Sequence, residues 1–233
     1  MNILEAVEKR RSIRAFKKKH VPKGTIEKIL LTARWSPSGH NTQPWEVAVL
    51  MDKNKDELSR RLLDAIIQKK ERKFDYLETS YFPPFLQKRR DACDNGIFKH
   101  KKIDIKDKKT VKQHILENYY FFHAPAELIL FMEKGLGCGQ FIDIGMFAQS
   151  IMLAALEFGL GTCCQGTIAL YPQVIREFLG LPENRIILFG IAMGYPDEEA
   201  DINRYRPSRE PLKKFAKIYD NSTNCLKTES FYE

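Results

Sequence analysis

The stretch FIDIGMFAQSIMLAALEFGL, residues 141–160, is the longest apolar run in the chain and constrains how the remaining elements can pack. Its length and composition suit a helix, but Asp143, Gln149 and Glu157 interrupt it, and each would be costly at the depth of a lipid bilayer. We therefore predict a buried helix over residues 143–160 rather than a membrane span. A helix that is apolar on most sides needs cover all round, from its own domain or from a partner subunit.

The size and composition of the chain favour one globular domain. It has 233 residues, of which 43% are hydrophobic and 29% charged, enough to bury a core. It contains no internal repeat, Gly/Ser linker or low-complexity tract that would mark a domain boundary. Charged residues arrive within five positions of Met1, without the apolar core of a secretory signal, so we expect the protein to stay in the cytoplasm.

The formal net charge of +8 favours anionic partners, which include nucleic acid, acidic membrane surfaces and phosphorylated small molecules. Much of the basic excess lies in short runs at 17–19, 68–73 and 99–109, where acidic residues are often interleaved. A solvated face explains these runs more simply than a binding stripe does. We therefore predict no nucleic-acid partner and no membrane partner.

Cysteine and histidine usage indicates neither a disulfide framework nor a metal site. The five cysteines are an odd number without a CxxC motif, and the five histidines include no i, i+4 pair. We predict reduced thiols and no bound metal. The cysteines are Cys93, Cys138, Cys163, Cys164 and Cys225.

Hydrophobic periodicity predicts helices and strands intermixed without a regular βαβ repeat, which is an α+β architecture. Asn2 followed by Glu5 forms a plausible capping pair for the first helix. The predicted helices are 2–11, 22–35, 55–72, 143–160 and 171–179, and the predicted strands are 45–51, 124–132, 162–167 and 185–193. Residues 75–109 show no clean period and are predicted to form a cap or lid. The end of the chain is polar, and its last ten or so residues are expected either to be disordered or to wrap a partner.

Arg10, Arg11, Ser12 and Arg14 lie where the first helix ends and an extended segment begins. Three guanidinium groups and a hydroxyl within five residues can receive phosphate oxygens, because arginine offers bidentate donors. In an extended segment Arg10, Ser12 and Arg14 share one face. Since most such runs are only surface charge, the cluster alone leaves both interpretations open.

The segment SPSGHNTQPW, residues 36–45, is rich in small polar groups held by two prolines. Such a segment can present backbone amides and short side chains to a flat polar ligand. The alternative is an ordinary loop between a helix and a strand. Turn chemistry alone does not require Asn, Gln and Trp in this order, so this segment indicates a ligand site more specifically than the arginine cluster does.

The segment GLGTCCQG, residues 159–166, follows the long helix. Gly166 permits close approach of the backbone, so that an amide N–H there can donate to a heterocycle nitrogen. Cys163 and Cys164 suggest either thiol redox chemistry or simple packing. Packing is favoured, because adjacent cysteines rarely bridge each other and free cysteine is commonly a small buried side chain.

The segment NRYRPSREPL, residues 203–212, supplies either a further phosphate-facing arginine or a solvated tail. Together and in this order, RRSIRxF, SPSGHNTQPW, GLGTCCQG and the GYP...N...R..SREPL ending resemble the corresponding blocks of the nitroreductase family of flavoproteins. The resemblance runs from about residue 2 to residue 215. Residues 75–109 are similar to the variable cap of one branch, which includes nitrobenzoate-reductase-like members.

The resemblance implies an α+β fold with a central, mostly antiparallel sheet flanked by helices, in an intertwined homodimer with the long helix at its interface. It also implies two FMN sites between the subunits and NAD(P)H as co-substrate. The expected activity is hydride transfer from NAD(P)H through the flavin to a nitroaromatic, a quinone or a similar electron-poor small molecule, with ping-pong kinetics. No catalytic side chain is expected, because the flavin carries the redox chemistry.

Site residues also follow from the resemblance. Those expected to hold the FMN phosphate and ribityl chain are Arg10, Ser12 and Arg209, with Arg11 nearby. Those expected to line the flavin ring are Arg14 at its pyrimidine edge, and Cys164, Gln165 and Gly166 near N5, with Arg14 and Gly166 tuning the flavin. Those expected to reach in from the other subunit are Pro37, Ser38, Gly39 and Asn41. The family's asparagine contact to the flavin ring has no secure counterpart in this sequence.

Three alternatives remain open at this stage. A divergent family activity, such as reductive dehalogenation or flavin modification, would keep the FMN site and change only the cap. A flavin-binding protein without turnover would be yellow and would fail to oxidise NAD(P)H. A basic nucleic-acid-binding protein would be colourless and would bind DNA or RNA with a steep salt dependence.

Overall fold

The computed structural model describes residues 1–77, 79 and 81–219. Cys225 and the expectation for the last ten residues lie outside this part of the chain. The helices are α1 (Ile3–Lys9), α2 (Lys23–Ala33), α3 (Asp52–Ile67), α4 (Pro84–His100), α5 (Lys108–Leu116), α6 (Cys138–Glu157), α7 (Pro172–Leu179) and α8 (Asp201–Arg204). The strands are β1 (Glu46–Met51), β2 (Ala126–Glu133), β3 (Gly161–Gln165) and β4 (Arg185–Gly194).

The four strands of the described part form one antiparallel sheet in the order β1-β2-β4-β3. Alternate residues of a strand point to opposite faces of the sheet, so the central strand β2 contributes to a core on each side. Leu128 packs with Ile29 of α2 and Ile151 of α6 on one face. Ile129 packs with Leu62 of α3 on the other. The predicted α+β fold with a mostly antiparallel sheet is confirmed.

Helix α6 begins five residues before the predicted start and ends at Glu157. By length and composition alone it could cross a membrane. One such helix is weak evidence, because the central helix of a globular domain passes the same test. Here Ile144, Phe147 and Ile151 are buried in the core beneath the sheet. The prediction of a core helix is confirmed.

Several predicted boundaries differ from the structure for local reasons. Strand β3 ends at Gln165, and the backbone from Gly166 to Leu170 forms a 3₁₀ helix instead of continuing the ladder. Helix α1 ends at Lys9 because Arg10 already leaves the helical region, with ψ of 124°. Asn2 caps α1 as predicted: its Oδ1 accepts the N–H of Glu5 at 2.9 Å.

The segment predicted as a cap contains a complete 17-residue helix, α4, that the sequence pattern does not reveal. The reason is exposure, because Ile97 is its only buried residue. The helix packs on the end of the chain: a Cβ at Gly96 would clash with the ring of Tyr205. The Tyr205 hydroxyl also donates to the carbonyl of Ala92 at 3.4 Å. Helix α4 is therefore held by the segment after β4.

Candidate active site

The segment after α1 lies along the free edge of β3. Ser12 forms an isolated parallel bridge with Thr162, and the N–H of Ile13 donates to the Thr162 carbonyl at 2.9 Å. Ile13 is buried against Gly161, whose missing side chain leaves the room for it. Since the segment is extended, its residues on either side of Ile13 face away from the core. Ser12 and Arg14 are thus placed on the face opposite Ile13, as the alternation predicts.

Asn203 fixes this segment from the other end of the chain. Its Oδ1 accepts the backbone N–H of Arg14 at 2.8 Å, and its Nδ2 donates to the carbonyls of Ala15 at 2.7 Å and Asp197 at 2.8 Å. The Asn203 carbonyl accepts Nε of Arg11 at 2.8 Å. The residue is only 1% exposed, so these bonds satisfy groups that water does not reach. Sequence reasoning noted this asparagine only as part of a motif and gave it no role.

Arg206 brings the end of the chain to the start of the same segment. Its Nη2 donates to the carbonyls of Glu8 at 2.6 Å and Lys9 at 3.2 Å. These are terminal carbonyls of α1, where a cation is favourable. Arg209 follows three residues later, exposed, with Nη1 donating to the carbonyls of Pro207 and Ser208. Arg206 thus lies against the end of α1, and Arg209 follows it three residues further along the chain.

Gly166 lies at the open end of β3. A Cβ at this position would meet no atom within 4 Å, so the space beside it is free for a ligand. The preceding Gln165 is buried, and its Nε2 donates to the carbonyl of Asn118 at 2.7 Å. Its Oε1 is buried and has no hydrogen-bond partner among the described residues. An orphaned acceptor beside an open glycine is typical of a site completed by a bound group.

Glu127 lies on the same face of the sheet as Gln165, with its carboxyl over Gly190, where a Cβ would clash with Oε1. Both carboxyl oxygens are buried and lack a hydrogen-bond partner in the described part of the chain. Burial raises the pKa of this carboxyl well above 4.5, and Lys55 lowers it only in part. Burial therefore favours the neutral form of Glu127. Its position within an apolar strand gave no signal in the sequence.

The two adjacent cysteines are poorly suited to thiolate chemistry. Burial raises the pKa of the Cys163 thiol, and burial followed by repulsion from Cys163 raises that of Cys164 to about 12. Cys163 is 2% exposed, and Cys164 Sγ contacts Sδ of Met152 at 3.5 Å. Because only a thiolate is a good nucleophile, neither thiol is suited to nucleophilic chemistry; Cys163 packs in the core, and Cys164 is exposed.

The loop 36–45 is anchored on one face of α6. Its three contacts on the helix are spaced three or four residues apart, which places them on the same side. Both carboxylate oxygens of Asp143 accept the N–H of Gly39, at 3.3 and 3.2 Å. The ring of Phe147 stacks on Trp45 with 4.6 Å between centroids and 1° between planes. Ser36 donates to the hydroxyl of Ser150 at 2.7 Å. The aspartate that interrupts the apolar run thus holds the loop.

The same loop contains three residues with left-handed backbone. The φ angles of His40, Asn41 and Gln43 are 51°, 57° and 47°. A left-handed non-glycine residue costs about 1 kcal/mol, and such strain persists where the surroundings over-determine it. The loop is also exposed at Pro37, Gly39 and Asn41. A rigid, exposed loop of this kind is suited to presenting groups to another molecule.

Lys101 at the end of α4 and His114 in α5 are basic side chains to which the sequence analysis gave no role in a site. Nζ of Lys101 lies 3.3 Å from Nδ1 of His114. Burial, then Lys101, then Arg14 lower the pKa of His114 to about 4, so its ring is neutral at pH 7. Burial and Arg14 lower the pKa of Lys101, against Glu117, which raises it. Because Arg14 lowers the pKa of both Lys101 and His114, both side chains lie near Arg14. The ends of α4 and α5 therefore meet the N-terminal segment there.

Within one chain, the structure brings together the residues after α1, strand β3 and residues 203–206. The loop at 37–41 is held elsewhere on α6: Asp143 precedes Met152, the contact of Cys164, by nine residues, or about 14 Å of helix. Among the described residues, no hydrogen bond or ring contact joins this loop to 10–14 or 164–166. The loop at 37–41 is therefore separate from residues 10–14 and 164–166 within one chain.

The comparisons with known proteins agree with this geometry. A model of the Nitroreductase family matches residues 7–195. The chain is 30% identical over 217 residues to the 4-nitrobenzoate reductase of Nocardioides sp. (strain LMS-CY), covering 89% of this chain and 86% of that relative. It is 32% identical over 217 residues to the chloronitrobenzene nitroreductase of Comamonas testosteroni, covering 91% and 94%.

Solved structures show the same fold. The FMN and NADPH-dependent nitroreductase NfnB from Sphigopyxis sp. strain HMH superposes with a TM-score of 0.90 at 30% identity, over 94% of this chain and all of that one. NfnB from Mycobacterium smegmatis in complex with NADPH superposes with a TM-score of 0.89 at 29% identity, over the same shares. A family match through three of the four motif segments, on a shared fold, means that this protein belongs to the Nitroreductase family.

Proposed function

We propose that this protein is a homodimeric, cytoplasmic, FMN-dependent oxidoreductase that passes a hydride from NAD(P)H through the flavin to nitroaromatic, quinone or similar electron-poor small molecules. The observation that carries the proposal is the convergence of the segment after α1, strand β3, which ends beside the open Gly166, and residues 203–206, which lead to Arg209. Relatives that are nitroreductases dependent on FMN and NADPH support the same conclusion.

The donor set fits the phosphate end of FMN. Arg10, Ser12 and Arg209 would hold the phosphate and ribityl chain, with Arg11 nearby, because guanidinium groups match phosphate oxygens in charge and geometry. Arg206 fixes the exposed tail to the end of α1, so that Arg209 can reach this position. The tail therefore has a structural reason to remain ordered through residue 209.

The other end of the site fits a planar ring. The space beside Gly166 would admit the ring, and Cys164 and Gln165 would line it. Arg14, with its backbone held by Asn203, would face the pyrimidine edge. When bound, the flavin supplies the hydride chemistry, and these residues bind and orient it and exclude competing reactions. A positive Arg14 would favour negative charge at that edge, and the Gly166 amide would orient the facing ring atom.

Dimerisation would complete the site. Pro37, Ser38, Gly39 and Asn41 would approach the ring from the second subunit, since one chain holds them apart from Gly166. A single chain also leaves apolar side chains of α1 and α6 exposed, with Leu4 74% and Ile142 64% accessible. Faces of this kind near a long apolar helix are typical of an obligate dimer interface.

The cap at 75–109 would select the acceptor. Helix α4 rests on Tyr205, and Lys101 lies near Arg14, so this segment borders the pyrimidine edge of the proposed flavin site. Acceptor and NAD(P)H would use the same exposed ring face in turn, which predicts ping-pong kinetics. Positive charge in the cap would suit acceptors with an acidic substituent, such as a nitrobenzoate.

An anaerobic absorbance experiment tests the proposal. The purified protein should show flavin bands, which NADPH should bleach and 4-nitrobenzoate or a quinone should then restore. A flavin-binding protein without turnover would show the bands and fail to bleach. Colourless protein that does not take up added FMN would refute the cofactor assignment, and a monomer by light scattering would refute the shared site.

A further inference from the structure

A second cavity, of about 650 Å³, lies between the end of α3, helix α5 and Tyr171. Its apolar lining, here called the floor, consists of Ile66, Ile105, Val111, Ile115 and Leu116, of which Ile105 and Ile115 are exposed, with the buried Tyr119 at the inner end. None of the residues proposed to bind FMN lines it. The volume lies within the range of about 300–1,000 Å³ that small-molecule sites occupy.

The rim of this cavity is entirely cationic. Its five charged residues are Lys69, Lys70, Arg72, Lys108 and Lys112, and no acidic residue lines the cavity. None of the five forms an ion pair within the part of the chain that the structure describes. Like charges this close repel one another, and the repulsion is relieved when an anion binds.

Two neighbouring carboxylates contact groups other than the five cationic side chains of the rim. Glu117 lies 3.4 Å from Nε2 of His123. Asp107 caps α5 and accepts the N–H of Lys109 at 3.0 Å. Arg72 is close enough to the inner end of the cavity to lower the pKa of Tyr119, against burial, which raises it to about 12. A cationic side chain therefore also acts on the inner end of the cavity, at Tyr119.

The backbone just after α3 is strained at Lys69, and this turn fixes the positions of Lys69 and Lys70 at the rim. Lys69 has a φ of 55°, a left-handed conformation that glycine usually supplies at the end of a helix. The N–H of Lys69 donates to the Ile66 carbonyl at 3.1 Å, and that of Lys70 to the Ala65 carbonyl at 3.0 Å. A lysine in this position is unfavourable for the helix end, which is consistent with a role for its side chain.

We propose that this cavity binds a small amphiphilic anion, with a carboxylate, phosphate or sulfonate head at the lysine rim and an apolar chain or ring against the floor. The apolar floor without the rim would suit a neutral ligand, and the rim without the floor would suit only counterions. Their combination in one concave site selects a molecule with both parts. The site shares no residue with the proposed flavin site, so it does not depend on the proposed function.

Titration calorimetry of the FMN-loaded protein with decanoate, below its micelle concentration, tests the proposal. Decanoate should bind at least about tenfold more tightly than decanol, which lacks the charge, or acetate, which lacks the chain. Equal binding of decanol or of acetate would overturn the proposal. Binding only to anionic phosphatidylglycerol vesicles, and not to monomeric decanoate, would also overturn it in favour of a membrane surface.

Matched variants distinguish an effect of the rim lysines on binding from an effect of net charge or of misfolding. The double variant Lys69→Glu/Lys112→Glu should weaken decanoate binding by about tenfold or more. The control Lys18→Glu/Lys28→Glu makes the same change in net charge away from the cavity, and it should change decanoate binding by less than about twofold. Lys69→Gly relieves the backbone strain, so it should weaken binding without loss of thermal stability. Equal loss in both double variants would refute the site. Flavin content and NADPH oxidation should be unchanged in all three, so failure here is distinct from failure of the proposed function.

Discussion

The side-chain oxygen of Asn203 accepts the backbone N–H of Arg14 at 2.8 Å, across 189 residues of sequence. With its amide nitrogen bound to the carbonyls of Ala15 and Asp197, this buried asparagine joins the N-terminal segment to the chain beyond β4. The direction of the Arg14 side chain is therefore set by a residue that itself has no expected contact with the cofactor. Asn203 is a positioning residue.

Replacing Asn203 should affect stability and cofactor binding together. Asn203→Ala leaves the Arg14 N–H and the Asp197 carbonyl without these partners, while the Ala15 carbonyl still accepts the N–H of Asp197, so the free energy of unfolding should fall by about 2–3 kcal/mol. Urea denaturation measures this change, and fluorescence titration should show a raised Kd for FMN. The exposed Asn184, bonded to Glu133, provides the control Asn184→Ala, which should change neither quantity. Wild-type affinity in Asn203→Ala would contradict the positioning role.

Removing either flavin-facing arginine should weaken FMN binding. A hydrogen bond to a charged group contributes about 1.5–3 kcal/mol, so Arg14→Ala or Arg209→Ala should raise the Kd for FMN roughly tenfold to a hundredfold. Equilibrium dialysis with FMN measures it. Arg204 is exposed and pairs with Glu199 and Asp201, so Arg204→Ala is the matched control with little expected effect. Full flavin occupancy and turnover in the Arg14 or Arg209 variant would refute that residue's assignment.

Subunit mixing should reveal a site shared between two chains. We expect Arg14→Ala and Asn41→Ala each to impair both sites of its own homodimer. In the heterodimer, one site would combine the intact Arg14 of one chain with the intact loop of the other, and the second site would carry both changes. Unfolding and refolding the two variants together should therefore restore up to one wild-type FMN site per heterodimer. If no activity returns in the heterodimer fraction, the loop acts within its own chain.

Glu127 should make the protein less stable as the pH rises. Burial raises the pKa of this acid in the folded state, so above about pH 4.5 the unfolded state ionises while the folded state stays neutral. Glu127→Gln removes this penalty, so the variant should gain stability over wild type by about 1.4 kcal/mol per pH unit between pH 4.5 and the raised folded-state pKa. Urea denaturation from pH 4 to pH 8 measures it. A pH-independent difference would show that the folded protein holds Glu127 ionised.

Crowding the contact between α4 and Tyr205 should change acceptor binding and leave the flavin in place. A Cβ at Gly96 would clash with the Tyr205 ring, so Gly96→Ala must shift the helix. We expect a raised KM for the nitroaromatic acceptor with FMN content unchanged. Gly24→Ala, where a Cβ meets nothing within 4 Å, is the control in another helix. Unchanged steady-state kinetics in Gly96→Ala would refute the role of the cap in acceptor selection.

The sequence by itself determined the elements whose causes are local or periodic. The apolar run at 141–160 gave a core helix because no other arrangement buries so many apolar side chains, and Asn2 capped α1 because its oxygen reaches an N–H only three residues away. The four motif segments also identified the family, since their order along the chain is itself a property of the sequence. Helix α4 was not predicted, because a mostly exposed helix shows little periodicity of apolar residues in its sequence.

Only the tertiary structure decided which distant groups meet. Asp143 holds Gly39 across 104 residues, and Asn203 holds Arg14 across 189, and neither pairing follows from any spacing in the sequence. The burial of Glu127 could not be predicted, because the sequence does not show whether an acid in an apolar strand lies in the core or at an exposed edge of the sheet. The cationic cavity likewise depends on Lys69, just beyond the end of α3, and Lys112 of α5 lying close together. Packing in three dimensions brings such groups together, and their electrostatic and hydrogen-bond energies depend on that distance rather than on separation along the chain.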